Sequence, residues 1–192
     1  AELFRRYVQY HGLDANMEAG SFTLQQTMTI PEIAEAFQQG LAAEQFVTIQ
    51  EGLRLEQVAA LVASQTTISE QEFLGLVTTG WRDADLNFAY LSRIPDGATL
   101  EGFLFPNTYR LPEEATAMDM LIRMLQTFDE QVSTDIQAAA ANRGMDIYEL
   151  VTLASIVERE AVLDEERALI AGVYHNRLDS GWFLNADPTI QY

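Results

Sequence analysis

Hydrophobic positions recur at three- and four-residue steps along most of this chain, a period that predicts a largely helical protein. Leu3, Phe4, Tyr7, Val8 and Tyr10 place a helix within residues 1–11. Ile33, Ala34 and Phe37 form the inner stripe of a second helix. Thr29 is placed to cap it, Pro31 fits its first turn, and Glu32 holds the capping-box position. Further helices are predicted from Leu55 to Ala63 and from Glu70 to Val77. Leu121, Leu125, Phe128, Val132 and Ile136 line one face of what reads as a single long helix, Ala115 to Ala141. Asp146 and Glu149 form a capping pair for a helix running to Ala161. Asp164, followed by Glu165 and Glu166, starts another that ends near Leu178.

Two segments depart from this period. Gly20 to Leu24 and Phe46 to Ile49 read as short strands, so residues 19–50 form a strand–helix–strand unit. Gly80, Pro95-Asp96-Gly97 and Gly102 to Pro112 carry the residues of turns and loops, and Phe183 to Tyr192 reads as extended. The change of pattern near residue 50 predicts an α+β protein of two units. The first spans residues 1–50, and the second, residues 51–192, is mostly helical with a short β element near its C-terminus. Tyr192 closes an apolar stretch with no cap, so the natural chain is expected to continue.

The 192 residues allow one large unit or two small ones, and a hydrophobic content of 48% supplies a core. Charge narrows the functions. The 29 acidic residues against 11 basic ones give a net charge of -18. Such a surface repels phosphate backbones and argues against nucleic-acid binding. It also avoids an anionic membrane surface unless a separate anchor holds it there. The absence of cysteine excludes disulfides, thiolate metal sites and cysteine nucleophiles. No stretch reaches the ~18 apolar residues of a membrane span, and no signal peptide opens the chain. His11 and His175 lack metal-ligand spacing, and neither a phosphate loop nor a nucleophile elbow is present.

Three stretches carry candidate chemistry. Leu100-Glu-Gly-Phe-Leu-Phe-Pro-Asn-Thr-Tyr109 sets aromatic groups around a glutamate and an asparagine. That mixture suits sugar binding, with rings stacking and polar groups taking hydroxyls; it equally suits a loop that plugs the core with Phe103 and Phe105. The second stretch, Leu153 to Ala161, ends an apolar helix with Glu158, Arg159 and Glu160. The two glutamates project about 200° apart, flanking a stripe centred on Leu150, Ala154, Val157 and Ala161, while Arg159 falls on the Thr152 and Ser155 side. A carboxyl at the edge of an apolar stripe is partly desolvated, which favours the protonated form that a general acid needs; an ordinary helix-border pair has the same pattern. The third, Asn185-Ala-Asp187-Pro-Thr189, suits either a local turn or the presentation of Asp187 and Thr189 to a ligand.

Taken together and in this order, these stretches resemble the MltG/YceG-like family of endolytic murein transglycosylases. Members carry Leu-Glu-Gly-aromatic-Leu-Phe-Pro-Asp-Thr-Tyr, matched by residues 100–109 with Asn107 for Asp. Ala-Ser-Ile-Val-Glu-Lys-Glu is matched by residues 154–160 with Arg159 for Lys. The Glu166-Arg167 pair and Ile170 to Leu178 follow the family's Ile-Ala-Gly-Val-Tyr-x-Asn-Arg-Leu stretch. Leu184 to Tyr192 matches Leu-Gln-x-Asp-Pro-Thr-Val-x-Tyr with Asn185 for Gln, and Gln50-Glu51-Gly52 resembles a Pro-Glu-Gly segment.

The resemblance implies a LysM-like, glycan-binding character for residues 1–50 and a YceG-like catalytic character for residues 51–192, incomplete at the C-terminus. It implies cleavage of MurNAc-β-1,4-GlcNAc bonds to leave 1,6-anhydroMurNAc ends, without metal or organic cofactor. A single carboxyl does this work, here Glu160, with Glu158 as the other candidate. Helical geometry does not choose between them. Glu160 is preferred because small Ala161 follows it, as in other lytic transglycosylases, and because the helix C-terminus disfavours negative charge. Substrate contacts are implied for Glu101, Asn107, Tyr109, Asn176, Asn185, Asp187 and Thr189. Glu158 is then structural, paired with Arg167 or Arg177. The resemblance also implies a single-pass inner-membrane protein with its catalytic part outside the cytoplasm, an anchor N-terminal to this chain, and cell-wall synthases as partners. A non-catalytic peptidoglycan-binding scaffold and an acidic interaction module are the competing functions.

Overall fold

The computed structural model describes residues 2–14, 17, 24, 27–38, 44–132 and 134–184. Within them lie helices α1 (Glu2–Tyr10), α2 (Ile30–Gln38), α3 (Leu55–Gln65), α4 (Glu70–Thr78), α5 (Ala117–Gln131), α6 (Thr134–Ala141), α7 (Ile147–Glu160) and α8 (Arg167–Asp179). Strands β1 (Glu44–Thr48) and β2 (Thr108–Pro112) pair antiparallel, with Glu44 opposite Pro112 and Thr48 opposite Thr108. Helix predominates around this two-stranded sheet, so the fold is the expected α+β class.

Local chemistry accounts for the helix starts. The Thr29 carbonyl accepts the first ladder bond, from the Ile33 N–H at 3.0 Å, while its own N–H and hydroxyl both donate to Glu32, at 2.7 and 2.8 Å, and α2 begins behind them. Asp146 and Glu149 satisfy each other's backbone N–H groups at 2.9 Å, fixing the first turn of α7. Thr116 and Asp119 do the same for α5, a signal present in the sequence though not singled out above.

The structure corrects two expectations. The helix read from Ala115 to Ala141 is α5 and α6, because Val132 leaves helical geometry at ψ 74°. The side chain of Gln137 then donates to the Val132 carbonyl at 3.0 Å. A β-branched residue followed by Ser-Thr-Asp favours a stop and a new cap over continuation, and the apolar repeat masked this. Residues 108–112, read as loop, form β2: Tyr109 and Leu111 face inward while Thr108 and Arg110 face outward, the two-residue period of a half-buried strand. The expected strand Gly20 to Leu24 lies outside the described residues, Leu24 apart.

One core gathers β1, β2, α3, α4 and α5. Phe103 is fully buried at its aromatic centre, with ring centroids 5.9 Å from Tyr90, 5.1 Å from Phe128 and 6.3 Å from Tyr148. Val47 and Ile49 belong to this core with residues 55–147, so it draws on both sides of residue 50. A smaller cluster of Leu153, Ile156, Val157 and Tyr174 joins α7 to α8.

Candidate functional site

Helix α7 is the axis of the site, and two of its faces matter. Tyr148, Val151, Thr152, Ser155, Glu158 and Arg159 follow one another at helical steps and line a groove of about 640 Å³. Its opposite wall is the turn Gln50 to Leu53 and the segment Thr99 to Pro106. The volume lies in the range of sites for small ligands. Apolar groups such as Phe105, Tyr148 and Leu53 make the floor, while Glu51, Glu101, Glu158, Arg159 and Arg167 supply charge.

The Leu-Glu-Gly-Phe stretch builds the far wall. Leu100 and Phe103 are fully buried and anchor it. Between them, Glu101 accepts a hydrogen bond at 2.9 Å from the N–H of Leu55, the first residue of α3. The carboxylate thereby satisfies a donor that the helix cannot satisfy itself. Burial pushes the Glu101 pKa up; the Leu55 hydrogen bond and Arg54 oppose this, and Glu56 adds to it. Gly102 has φ +82°, and a Cβ there would stand 2.7 Å from Val151 Cγ1 on α7. Glycine at this point lets the loop close on the glutamate-bearing helix. Gly102→Ala is expected to cost about 1–3 kcal/mol through strain and overpacking. A urea titration checks this; a change within error would show that loop and helix are not in contact.

Glu158 is exposed on the groove side, and a Cβ on Gly52 across the groove would lie 4.0 Å from its Oε1. Glu160 occupies a different place. The buried stripe of α7 is Leu153, Ile156 and Val157, with Ala154 exposed, so it is turned from the expected line through Leu150, Ala154, Val157 and Ala161. Packing against Tyr174 of α8 sets this rotation. Glu160 continues that stripe and is half-buried, and the hydroxyl of buried Tyr174 donates to its Oε1 at 3.3 Å. Arg177 lies over the Tyr174 ring, 5.7 Å from its centroid, and donates to the Leu184 carbonyl. The expected pairing of Glu158 with Arg167 or Arg177 is absent among the described residues; Arg167 instead meets Asp164 at 3.2 Å.

The remaining expected contacts divide. Glu101 shares the groove with Glu158, whereas Asn107 sits one residue beyond the wall, exposed, with its Oδ1 accepting from the Thr108 N–H at 2.8 Å. Its carbonyl accepts from Ile49 at 2.9 Å, extending the β1–β2 pairing. Tyr109 is 5% exposed, and its hydroxyl donates to the Phe105 carbonyl, so it belongs to the core beneath the wall. Asn176 is exposed on α8. Asn185, Asp187 and Thr189 lie outside the described residues. Sequence reasoning passed over Tyr148 and Ser155 as site residues, although their spacing along α7 marks one face. It also passed over Tyr174, which stands in the Ile170 to Leu178 stretch.

A model of the YceG-like family matches residues 1–192. The chain is 30% identical over 200 residues to the endolytic murein transglycosylase of Bacillus subtilis strain 168, covering 98% of this chain and 54% of that protein. It is 30% identical over 209 residues to the endolytic murein transglycosylase of Streptococcus pneumoniae strain R6, covering 99% of this chain and 38% of that protein. The chain thus spans about half or less of the curated relatives it matches. The crystal structure of a yceG-like protein from Listeria monocytogenes superposes with a TM-score of 0.62 at 27% identity, covering 98% of this chain and 65% of that one.

Proposed function

Since the chain belongs to the YceG-like family, we propose that it is an endolytic peptidoglycan lytic transglycosylase with Glu160 as its single acid–base group. The observation that carries this reading is the place of Glu160: half-buried at the end of α7 and held by the Tyr174 hydroxyl. In the proposed reaction the protonated Glu160 carboxyl donates to the glycosidic oxygen as the MurNAc C1–O bond breaks, and GlcNAc leaves as the alcohol. The resulting carboxylate then removes the proton from the MurNAc C6 hydroxyl. That oxygen closes onto C1, giving a 1,6-anhydro end and restoring the acid. One group therefore does the work that two carboxylates share in most glycosidases. Cuts within a strand require a groove that is open at both ends.

A specific observation favours a second reading. Glu158, not Glu160, lines the groove opposite Glu101. In that version Glu158 is the acid–base group and Glu160 ties α7 to α8. Exchange of each glutamate for glutamine separates the two, through the anhydro product that remains.

The rest of the reading follows the family. Residues 1–50 are read as a LysM-like unit and residues 51–192 as the catalytic unit; α2 followed by β1 supports the first part. The protein is placed at the outer face of the cytoplasmic membrane, held by an anchor N-terminal to this chain and near the synthases that extend glycan strands. Among the described residues no helix is long and apolar enough to cross a membrane. Asn185, Asp187 and Thr189 are read as completing the substrate contacts.

Tyr174 gives this mechanism a test of its own. Tyr174→Phe removes one donor and keeps the ring in its cluster. It is expected to lower kcat up to about tenfold, the scale of one hydrogen bond, with KM little changed. Steady-state rates on purified glycan strands measure this; an unchanged kcat would remove Tyr174 from the positioning of Glu160.

A further inference from the structure

We propose that Arg159 and Arg167 form a carboxylate-binding site at one end of the α7 groove, which holds the anionic part of a muropeptide. The proposal rests on the peptidoglycan reading above. The groove-lining residues of α7 run from Tyr148 to Arg159, a distance of about 16 Å along the helix. Its ends differ in chemistry. Tyr148 marks one end, with its ring stacked on Phe103. Arg159, in the last turn of α7, and Arg167, the first residue of α8, mark the other.

Charge makes the placement informative. A protein of net charge -18 repels anions over most of its surface, so an anionic group enters only where cations stand together. Arg159 makes no salt bridge among the described residues. Arg167 meets Asp164 through Nη2 alone, in a pair whose side chains are 52% and 87% exposed. Such a pair is weak, and a guanidinium has five donors, so most of its fork is left for a ligand. Planar forks of this kind match carboxylates in a bidentate manner. Glu51, Glu101 and Glu158 line the same groove and oppose an anion placed beside them. They are acceptors, suited to sugar hydroxyls. The groove therefore sorts a ligand that is sugar along most of its length and carboxylate at one end. In peptidoglycan that carboxylate is the lactyl group of MurNAc or, where a peptide is attached, the acidic groups of the stem.

Three probes of increasing acidity test the site by calorimetry with the protein: chitobiose, GlcNAc–MurNAc with a free lactyl group, and GlcNAc–MurNAc-tetrapeptide. At least one carboxylate-bearing probe is expected to bind about tenfold tighter than chitobiose, with the advantage shrinking as salt rises. Whichever of the two binds tighter identifies the source of the carboxylate. Arg159→Gln and Arg167→Gln are each expected to weaken that probe about tenfold and to leave chitobiose unchanged, and Arg159→Lys to retain part of the gain. Equal affinity for all three probes, or variants that weaken all three alike, would overturn the proposal while leaving the transglycosylase reading intact. Failure of every probe to bind would overturn both.

Discussion

Replacing Glu160 by glutamine is expected to slow the formation of anhydro ends by about 10²–10⁴-fold, the usual worth of a general acid–base group. The change is nearly isosteric, and the amide oxygen still accepts from the Tyr174 hydroxyl, so α7 and α8 should stay packed through Leu153, Ile156 and Val157. What is lost is the proton: an amide neither delivers one to the glycosidic oxygen nor retrieves one from the C6 hydroxyl. Glycan binding should survive, because an amide keeps the size of the carboxyl and still makes hydrogen bonds to sugar hydroxyls. Glu158→Gln is the matched control, with an expected effect well below that of Glu160→Gln. Chromatography and mass spectrometry of released muropeptides read the outcome. If Glu160→Gln stays active and Glu158→Gln is inert, the two glutamates exchange roles.

Phe103→Ala is expected to cost about 3–5 kcal/mol, the range for deleting a buried phenyl group. Phe103 is fully buried, and its ring meets Tyr90, Phe128 and Tyr148. Those partners come from the segment before the loop, from α5 and from α7, so collapse around the cavity would require elements fixed elsewhere to move. Binding should weaken as well, since Tyr148 would lose the ring that supports it on the groove floor. Urea denaturation and glycan affinity measure the two effects. A loss below about 1 kcal/mol would show that the loop does not depend on this anchor.

The helices were legible where sequence chemistry is local. The reciprocal box at Asp146–Glu149 appears in the structure, and at Thr29–Glu32 the glutamate reaches back to the Thr29 N–H. Reading failed where the outcome depends on distant partners. Tyr109 and Leu111 alternate with Thr108 and Arg110, but a short strand is defined by what it pairs with, and β1 lies some sixty residues earlier, with Thr48 opposite Thr108. The same limit applied to the site. The motif Leu100 to Tyr109 suits either sugar binding or the core by sequence; in the structure its residues divide, with Phe103 and Tyr109 in the core and Glu101 on the groove. The rotation of α7 was not legible either. Leu150, Leu153, Ala154, Ile156 and Val157 are all apolar, and Tyr174 of α8 decides which of them turn inward. That rotation is what separates half-buried Glu160 from exposed Glu158.

The most direct measurement is digestion of purified peptidoglycan by the protein in ¹⁸O-labelled water, followed by mass analysis of the new ends. A transglycosylase uses the C6 hydroxyl of MurNAc in place of water. The expected products are internal fragments ending in 1,6-anhydroMurNAc, with no ¹⁸O incorporated. New reducing MurNAc ends carrying ¹⁸O would identify a hydrolase, and strands left uncut would identify a binding scaffold; either result contradicts the mechanism assigned to Glu160.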